Sequence, residues 1–414
     1  MIQPLLYLPH RIPFPPNKGD KIRTYHVLRH LSQLYEIYLG TFVDEPDDWG
    51  YVAEVERYCA AAKFVFLSKR IAKLASLRAL FTGEPLTLAY FRSGELKRWV
   101  DDVTRTHSIS RILVCSSSMA QYADGLHDKA NVVVDFIDVD SEKWRQYARQ
   151  SRWPMSAIYA REGRQLLEYE KHVARRSDAN VFVSELEADV FQRLTPDERF
   201  GVLDVQNGVD AEFFSPERSY ENPFSPDAKA LVFTGAMDYA ANVDAVCWFV
   251  TDVFGIIKKQ VPSAEFYVVG SRPGTKVKAL ANQEGVCVTG RVDDVRPYLA
   301  HSHAAVAPMR VARGLQNKVL EAIAMSKVVL ATPAAMEGVR NFDSRDRYVA
   351  SGPNGLADLA VSILRRPMPT NTAGRACIIE HFDWSLNVRK FGELLERGSS
   401  PVMNRTAMTS ESSR

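Results

Sequence analysis

Cations and a carboxylate converge on one short stretch of this 414-residue chain. After an apolar run ending at Ala307 come Pro308, Met309, Arg310, Val311, Ala312, Arg313, Gly314, Leu315, Gln316, Asn317, Lys318, Val319, Leu320 and Glu321, then Ala322. A glycine-bearing loop that enters a helix leaves backbone N–H groups free at the positive end of the helix dipole, where a pyrophosphate is a natural occupant. Lys318 and Glu321 stand three apart and so share a helix face. There an ammonium can meet phosphate oxygens and a carboxylate can accept two ribose hydroxyls. Arg310 and Arg313 add positive charge beside them. A solvated helix pair has the same spacing and contributes only about 0.2–0.5 kcal/mol. What favours a nucleotide is the order strand, loop, glycine and helix, with a further buried strand resuming at Val328.

A second group of polar residues follows the first apolar run. A loop stiffened by Pro13, Pro15 and Pro16 carries His10, Arg11, Asn17, Lys18, Gly19, Asp20 and Lys21. It leaves the carboxyl end of a strand, where open parallel sheets bind ligands, and Gly19 would permit close approach. Asn17, Lys18, Gly19 and Asp20 are therefore the candidates for holding an acceptor. Asp138 and Asp140 close another strand at the same edge, and one of them can orient a hydroxyl or act as a base. Capping a helix through Asp140 or Ser141 is the plainer use. The carboxylates Asp138, Asp140, Asp293 and Asp294 show no metal-ligand spacing, and His301 and His303 read as structural, so no metal is expected.

The elements that must position these groups repeat. Short runs rich in Val, Ile, Phe and Tyr recur at 2–8, 36–43, 63–67, 112–115, 132–137 and 180–183, then at 230–234, 265–269, 286–289, 304–307 and 328–331. Helix-like stretches, including 244–260 and 318–325, lie between most of them, which predicts parallel sheets. The first helix carries Ile22, Tyr25, Leu28, Leu31 and Tyr35 as its apolar stripe, beside Lys21, Arg23 and Arg29. Pro216, Pro223 and Pro226 interrupt the pattern as a linker would. The expected division is a first domain at 1–215 with the Pro-stiffened loop, a linker at 216–228 and a second, nucleotide-binding domain at 229–380. A terminal helix at 381–398 returns to the first domain, and a polar tail at 399–414 is expected to be disordered. The predicted fold class is α/β, with two Rossmann-like parallel-sheet domains facing a cleft.

Composition excludes several classes. Hydrophobic residues make up 46% and charged residues 25%, as in a soluble globular protein, and a net charge of +2 lacks the footprint of a nucleic-acid binder. The five cysteines are widely spaced, no signal peptide opens the chain, and no stretch of about 18 apolar residues is evident, so a cytoplasmic protein is expected. The Gly-x-Gly-x-x-Gly of a nicotinamide site is missing after the first strand. Between 69 and 80, Lys69, Arg70, Lys73 and Arg78 interleave with Ile71, Leu74, Leu77 and Leu80. Such a helix either packs its apolar side in a core or lies on a membrane, which would make the protein peripheral at the inner face of the plasma membrane.

Lys318, Glu321 and Ala322 before a buried strand resemble the donor motif of retaining GT-B glycosyltransferases of family 4 (group 1). Further matches are Asn207, Gly208, Val209 and Asp210 with Phe213, Phe214 and Pro216; Phe233, Thr234, Gly235, Ala236, Met237, Asp238 and Tyr239 with Asn242 and Asp244; Gly290 with Val292, Asp293 and Asp294; and Phe382, Asp383, Trp384 and Ser385. The loop with Pro13 and Asp20, together with the run Asp135, Phe136, Asp138, Asp140, Ser141 and Trp144, is similar to a narrower subgroup, the exosortase (PEP-CTERM) system-associated sugar transferases. The resemblance implies a UDP- or GDP-sugar donor as co-substrate, no cofactor, and transfer with retention to a glycan or polyprenyl-linked acceptor in exopolysaccharide or cell-surface polysaccharide synthesis. It assigns donor contacts to Gly235, Arg313, Gly314, Leu315, Gln316, Asn317 and Glu321, with Glu321 on the ribose. Arg310, Lys318 and Asp138 are the catalytic candidates. Two departures stand out. Arg313 occupies the place of the family's first glutamate, and Ala236 and Asn242 stand near the places of an Arg and a Lys, so Arg310, Arg313 and Lys318 are left to neutralise the leaving pyrophosphate. A sugar-nucleotide epimerase or hydrolase of the same fold, or a non-catalytic binding subunit, is the alternative reading.

Overall fold

The structure is a computed structural model that describes residues 2–198, 200–312, 314–339, 348–368 and 370–397. It divides into two compact units, Met1–Val205 with Val388–Arg414 and Gln206–Asn387. Strands β1 (Gln3–Pro9), β2 (Tyr35–Val43), β3 (Ala61–Phe66), β4 (Arg111–Cys115), β5 (Asn131–Ile137), β6 (Ala179–Phe182) and β7 (Val202–Asp204) form one parallel sheet in the order 3-2-1-4-5-6-7. The second sheet contains β8 (Lys229–Thr234), β9 (Ala264–Val269), β10 (Val286–Gly290), β11 (Ala304–Ala307) and β12 (Val329–Ala331), in the order 10-9-8-11-12. Two Rossmann-like parallel-sheet units are thus present, in the GT-B manner. The apolar runs are continuous rather than alternating because helices cover both faces: Leu5, Leu6, Tyr7 and Leu8 are all fully buried. Strand β7 is the one that the sequence pattern does not reveal, being only three residues long.

Helices named below are α1 (Gly19–Leu31), α2 (Lys69–Ser76), α3 (Asp140–Gln150), α4 (Met155–Arg176), α5 (Ala240–Trp248), α6 (Asn317–Ala324) and α7 (Trp384–Glu396). In α1 the buried face differs from the expected stripe. Lys21, Arg23, Thr24, Val27, Leu28 and Leu31 point inward, Ile22 and Tyr25 are half-buried, and Tyr35 belongs to β2. The reason is charge pairing. Lys21 Nζ lies 2.6 Å from Asp48 Oδ2, and Arg23 donates from Nε (2.6 Å) and Nη2 (2.9 Å) to the two oxygens of Asp135. Arg23 also donates to the Val205 carbonyl at 2.7 Å and stacks over the Phe391 ring of α7 at 5.4 Å. Elsewhere in the same unit Tyr35 and Arg111 bind the Glu396 carboxylate, and Asn131 Nδ2 donates to the carbonyls of Leu394, Leu395 and Arg397. From Val388 onward the terminal helix therefore counts with the first unit.

In the second unit α5 runs on through a π-helical turn (Phe249–Phe254) into Gly255–Gln260. The run Ala240–Gln260 has the length and mean hydropathy of a membrane span, contrary to the sequence expectation. Phe249, Val250, Val253, Phe254 and Ile257 are nonetheless buried in the core of this unit. The division falls at Val205, ahead of the proline-rich stretch. Residues 206–215 are bonded to the second unit: Arg375 donates to the carbonyls of Ala211, Phe214 and Ala324, and Val209 N donates to Phe382 O at 2.8 Å. A Cβ on Gly208 would lie 2.7 Å from Phe382 O and 2.9 Å from Trp384 Cα, so only glycine fits there. The motifs around Asn207 and Trp384, far apart in sequence, are one contact.

The Arg23–Asp135 pair supplies a stability test. Asp135→Leu strands a buried guanidinium and is expected to cost about 3–5 kcal/mol, whereas adding Arg23→Met recovers most of that loss. Urea unfolding of the full chain measures both.

Candidate active site

In an open sheet the ligand lies beyond the carboxyl ends of the strands where strand order reverses. That point falls between β1 and β4 in the first unit and between β8 and β11 in the second. The candidate residues follow β1, β8 and β11, and Asp138 and Asp140 follow β5, which pairs with β4.

In the second unit, the β8 exit is built from glycine. Gly235 has φ +150°, and a Cβ on Gly270 would sit 1.8 Å from Gly235 O, so the turns after β8 and β9 touch backbone to backbone. The β11 exit buries Met309, whose carbonyl accepts from Thr332 Oγ1 at 2.5 Å, and turns at Gly314 (φ +61°). Gly338 presses on this loop, since a Cβ there would meet Leu315 Cα at 2.6 Å. Gln316 is the N-cap of α6 and its side chain does not cap the helix. Asn317 opens the helix with its Oδ1 buried and lacking a partner among the described residues. Lys318 Nζ donates to Asn242 Oδ1 at 2.8 Å and sits 5.0 Å from the centre of the Phe233 ring. A Cβ on Gly235 would lie 3.4 Å from Lys318 Cε. The ammonium of Lys318 thus stands beside Gly235, held by the asparagine in the place of the missing cation. Glu321 is half-buried one turn on, and its carboxylate makes no hydrogen bond or ion pair among the described residues. Burial pushes its carboxyl up to about 7, against the pull of Lys318. Burial lowers the Lys318 ammonium to about 8. Arg310 is exposed and forks onto Asp244 of α5. Arg313 lies outside the described residues.

The first unit holds a cavity of about 360 Å³ lined by His10, Arg11, Asp20, Ser116, Phe136, Ile137, Asp138, Asp140 and Lys143. Asp20 Oδ2 receives Arg11 at 3.1 Å and lies 3.2 Å from His10 Nε2. Burial works against the Asp20 carboxylate, but His10 and Arg11 outweigh it and hold it well below the usual range. Lys143 bridges Asp138 (2.8 Å) and Asp140 (3.1 Å). Two non-glycine residues of the wall, Ser116 (φ +77°) and Ile137 (φ +68°), are in the left-handed region, strain that is uncommon for Ser and rare for a β-branched residue.

Of the residues expected to hold an acceptor, only Asp20 lines this cavity; it is joined there by Asp138. Asn17 is exposed, Lys18 pairs with Glu45 at 2.6 Å, and Gly19 opens α1 with open space where a Cβ would be. The expected cap is also different. Val139 is the N-cap of α3, and Ser141 is buried against Glu170. Ser116, Ile137 and Lys143 carried no sequence signal beyond their nearness to strand ends. Asn242 was visible in a segment that matches the family and as a departure near the place of a cation, not as a partner of Lys318. His301 Nε2 lies 2.8 Å from the Tyr220 carbonyl, in keeping with a structural role.

Residues 228–366 match the family model of glycosyl transferases group 1. The matched segment spans β8 to β12 and so contains every residue of the second-unit site. No curated protein matches the chain in sequence. Solved structures match it in fold. Sucrose-phosphate synthase from Thermosynechococcus elongatus aligns with a TM-score of 0.66 at 15% identity over 95% of this chain and 98% of that one. Anabaena HepE in complex with UDP gives 0.63 at 12% over 95% and 99%. WaaG, a glycosyltransferase involved in lipopolysaccharide biosynthesis, gives 0.57 at 12% over 94% and 95%. The fold is that of the GT-B glycosyltransferases.

The glycine contact at the β8 exit is testable by itself. Gly270→Ala drives a methyl into the Gly235 carbonyl and is expected to cost about 1–3 kcal/mol. Gly255→Ala, inside a helix with open space at the Cβ position, should instead be neutral or stabilising by up to about 1 kcal/mol in the same urea titration.

Proposed function

We propose that this protein is a glycosyltransferase that takes a UDP- or GDP-sugar in the second unit and moves its sugar to a glycan or lipid-linked acceptor held by the first. The product belongs to exopolysaccharide or cell-surface polysaccharide synthesis in the cytoplasm. The observation that carries this reading is the pair Lys318 and Glu321: a half-buried ammonium fixed beside Gly235 and a half-buried carboxylate without a protein partner among the described residues. A carboxylate so placed is suited to two ribose hydroxyls, and the ammonium to the β-phosphate. The match of residues 228–366 to group 1 transferases and the bound UDP of the HepE structure support it.

Transfer proceeds with retention in this proposal. The acceptor hydroxyl attacks on the face from which the nucleotide leaves, and its proton passes to the departing phosphate. Lys318, Arg310 and Arg313 neutralise the charge that develops on that phosphate, and Gly314, Leu315, Gln316 and Asn317 offer backbone and amide groups to the donor. Asp138, on the cavity of the first unit, orients the acceptor hydroxyl. The reaction uses no cofactor beyond the sugar nucleotide.

A thermal-shift panel of UDP-, GDP- and ADP-sugars identifies the donor, because a ligand at about 100 times its dissociation constant adds about 2.7 kcal/mol of stability. Absence of a shift with all three defeats the proposal. Lys318→Ala and Arg310→Ala are each expected to lower kcat about 100-fold. Binding needs Glu321 ionised and Lys318 protonated, so donor affinity should be highest between about pH 7 and 8 and fall on both sides. In calorimetric titrations Glu321→Gln weakens binding and removes the loss on the acid side. A flat profile in the unsubstituted protein contradicts the assignment.

A further inference from the structure

Helix α2 and the turn after it bury their small side chains and expose their large ones. Ala72, Ser76 and Ala79 are buried, whereas Ile71 is 68% exposed, Leu74 69%, Leu77 48% and Phe81 91%. Backbone bonds from Leu77 N to Leu74 O, Arg78 N to Ala75 O, Leu80 N to Leu77 O and Phe81 N to Arg78 O carry the helical path onward to Thr82. At about 100° per residue, Ile71, Leu74, Ala75, Arg78 and Phe81 fall on one face, opposite the buried trio. An ordinary amphipathic helix of a soluble domain does the reverse and turns its large apolar residues to the core. The segment is firmly held: Arg161 of α4 donates to the carbonyls of Ala79 and Glu84, and Glu162 accepts from the backbone N–H groups of Leu86 and Thr87.

The charge on this face has one sign. Between Ser68 and Gly83 stand Lys69, Arg70, Lys73 and Arg78 and no acidic residue. Lys69 turns back to Asp44 at 3.3 Å and Glu45 at 3.6 Å. Arg70, Lys73 and Arg78 make no ion pair among the described residues. Cations set among protruding apolar tips suit a boundary where the tips enter acyl chains and the cations reach anionic headgroups. The core of a protein–protein interface, by contrast, is depleted in charge. We propose that this face docks the first unit on an anionic lipid bilayer. The proposal does not depend on which sugar is transferred.

Sedimentation of the full chain with vesicles tests it, using phosphatidylcholine alone and phosphatidylcholine mixed with phosphatidylglycerol. The protein is expected to sediment with the mixed vesicles and to be released by high salt. Each basic residue near such a surface contributes about fivefold in partition, so Arg70→Glu with Lys73→Glu lowers it by more than tenfold. Leu74→Ser with Phe81→Ser should lower it as far while leaving the far-ultraviolet circular dichroism unchanged, since both side chains are exposed. Equal partition onto both vesicle types, or partition that neither pair of substitutions alters, overturns the proposal. So does a concentration-dependent dimer in light scattering that Leu74→Ser with Phe81→Ser abolishes, because the face would then belong to a second copy.

Discussion

A guanidinium without access to water governs the first unit. Arg23 reaches out from α1 and binds Asp135 of β5 through two nitrogens, the Val205 carbonyl through a third bond and the ring of Phe391 through its face. These partners lie more than 100, 180 and 360 positions away in sequence, so one side chain ties the first helix, the central sheet, the end of the main segment and the returning C-terminal helix. Such a pair gains little over apolar packing as long as it is complete, and costs several kcal/mol when halved. It specifies the arrangement more than it strengthens it. Asp135 also accepts from Ile137 N at 3.3 Å, which links the pair to the strained wall of the cavity.

The second unit obtains its precision differently. Where the first relies on buried charge, the second relies on backbones that touch through glycine: Gly270 on Gly235, Gly338 on Leu315, Gly208 on Trp384. Lys318 reaches Asn242 across Gly235, where a Cβ would lie 2.8 Å from Asn242 Nδ2 and 3.4 Å from Lys318 Cε. Arg296 joins two further motifs, pairing with Asp294 while it lies 3.8 Å from the centre of the Phe213 ring. Local groups that look independent in the chain form a connected framework around Lys318 and Glu321.

Much of this was legible in the sequence because parallel strands buried on both faces leave uninterrupted apolar runs. Strand β7 was hidden by its length. The inward face of α1 was hidden because Lys21 and Arg23 look like solvated charges until Asp48 and Asp135 are brought to them by the fold. The candidates of the second unit follow from a local order of loop, glycine and helix, a signal contained in one segment. The cavity of the first unit draws on the ends of β1, β4 and β5 and on α3, and no pattern within one segment announces Ser116, Ile137 and Lys143 as neighbours. Asn17, Lys18 and Gly19 share the loop of Asp20 but stand outside the lining of that cavity, because nearness in the chain does not by itself put a residue on the wall.

The π-helical turn at Phe249–Phe254 has a consequence for how this helix tolerates change in length. Residues five apart come together in a π turn, and Phe249 and Phe254 both reach Phe266, at 4.7 and 6.0 Å. The turn amounts to one residue inserted into an otherwise α-helical run. Upstream of it, Asn242 and Asp244 hold Lys318 and Arg310; downstream, Ile257 is locked in the core. Removing that residue would restore a regular helix and rotate the upstream turn by about 100° relative to the core. Among homologous chains, a gap within 249–254 would therefore mark a change in what α5 presents to the site, even where every residue of the site is retained.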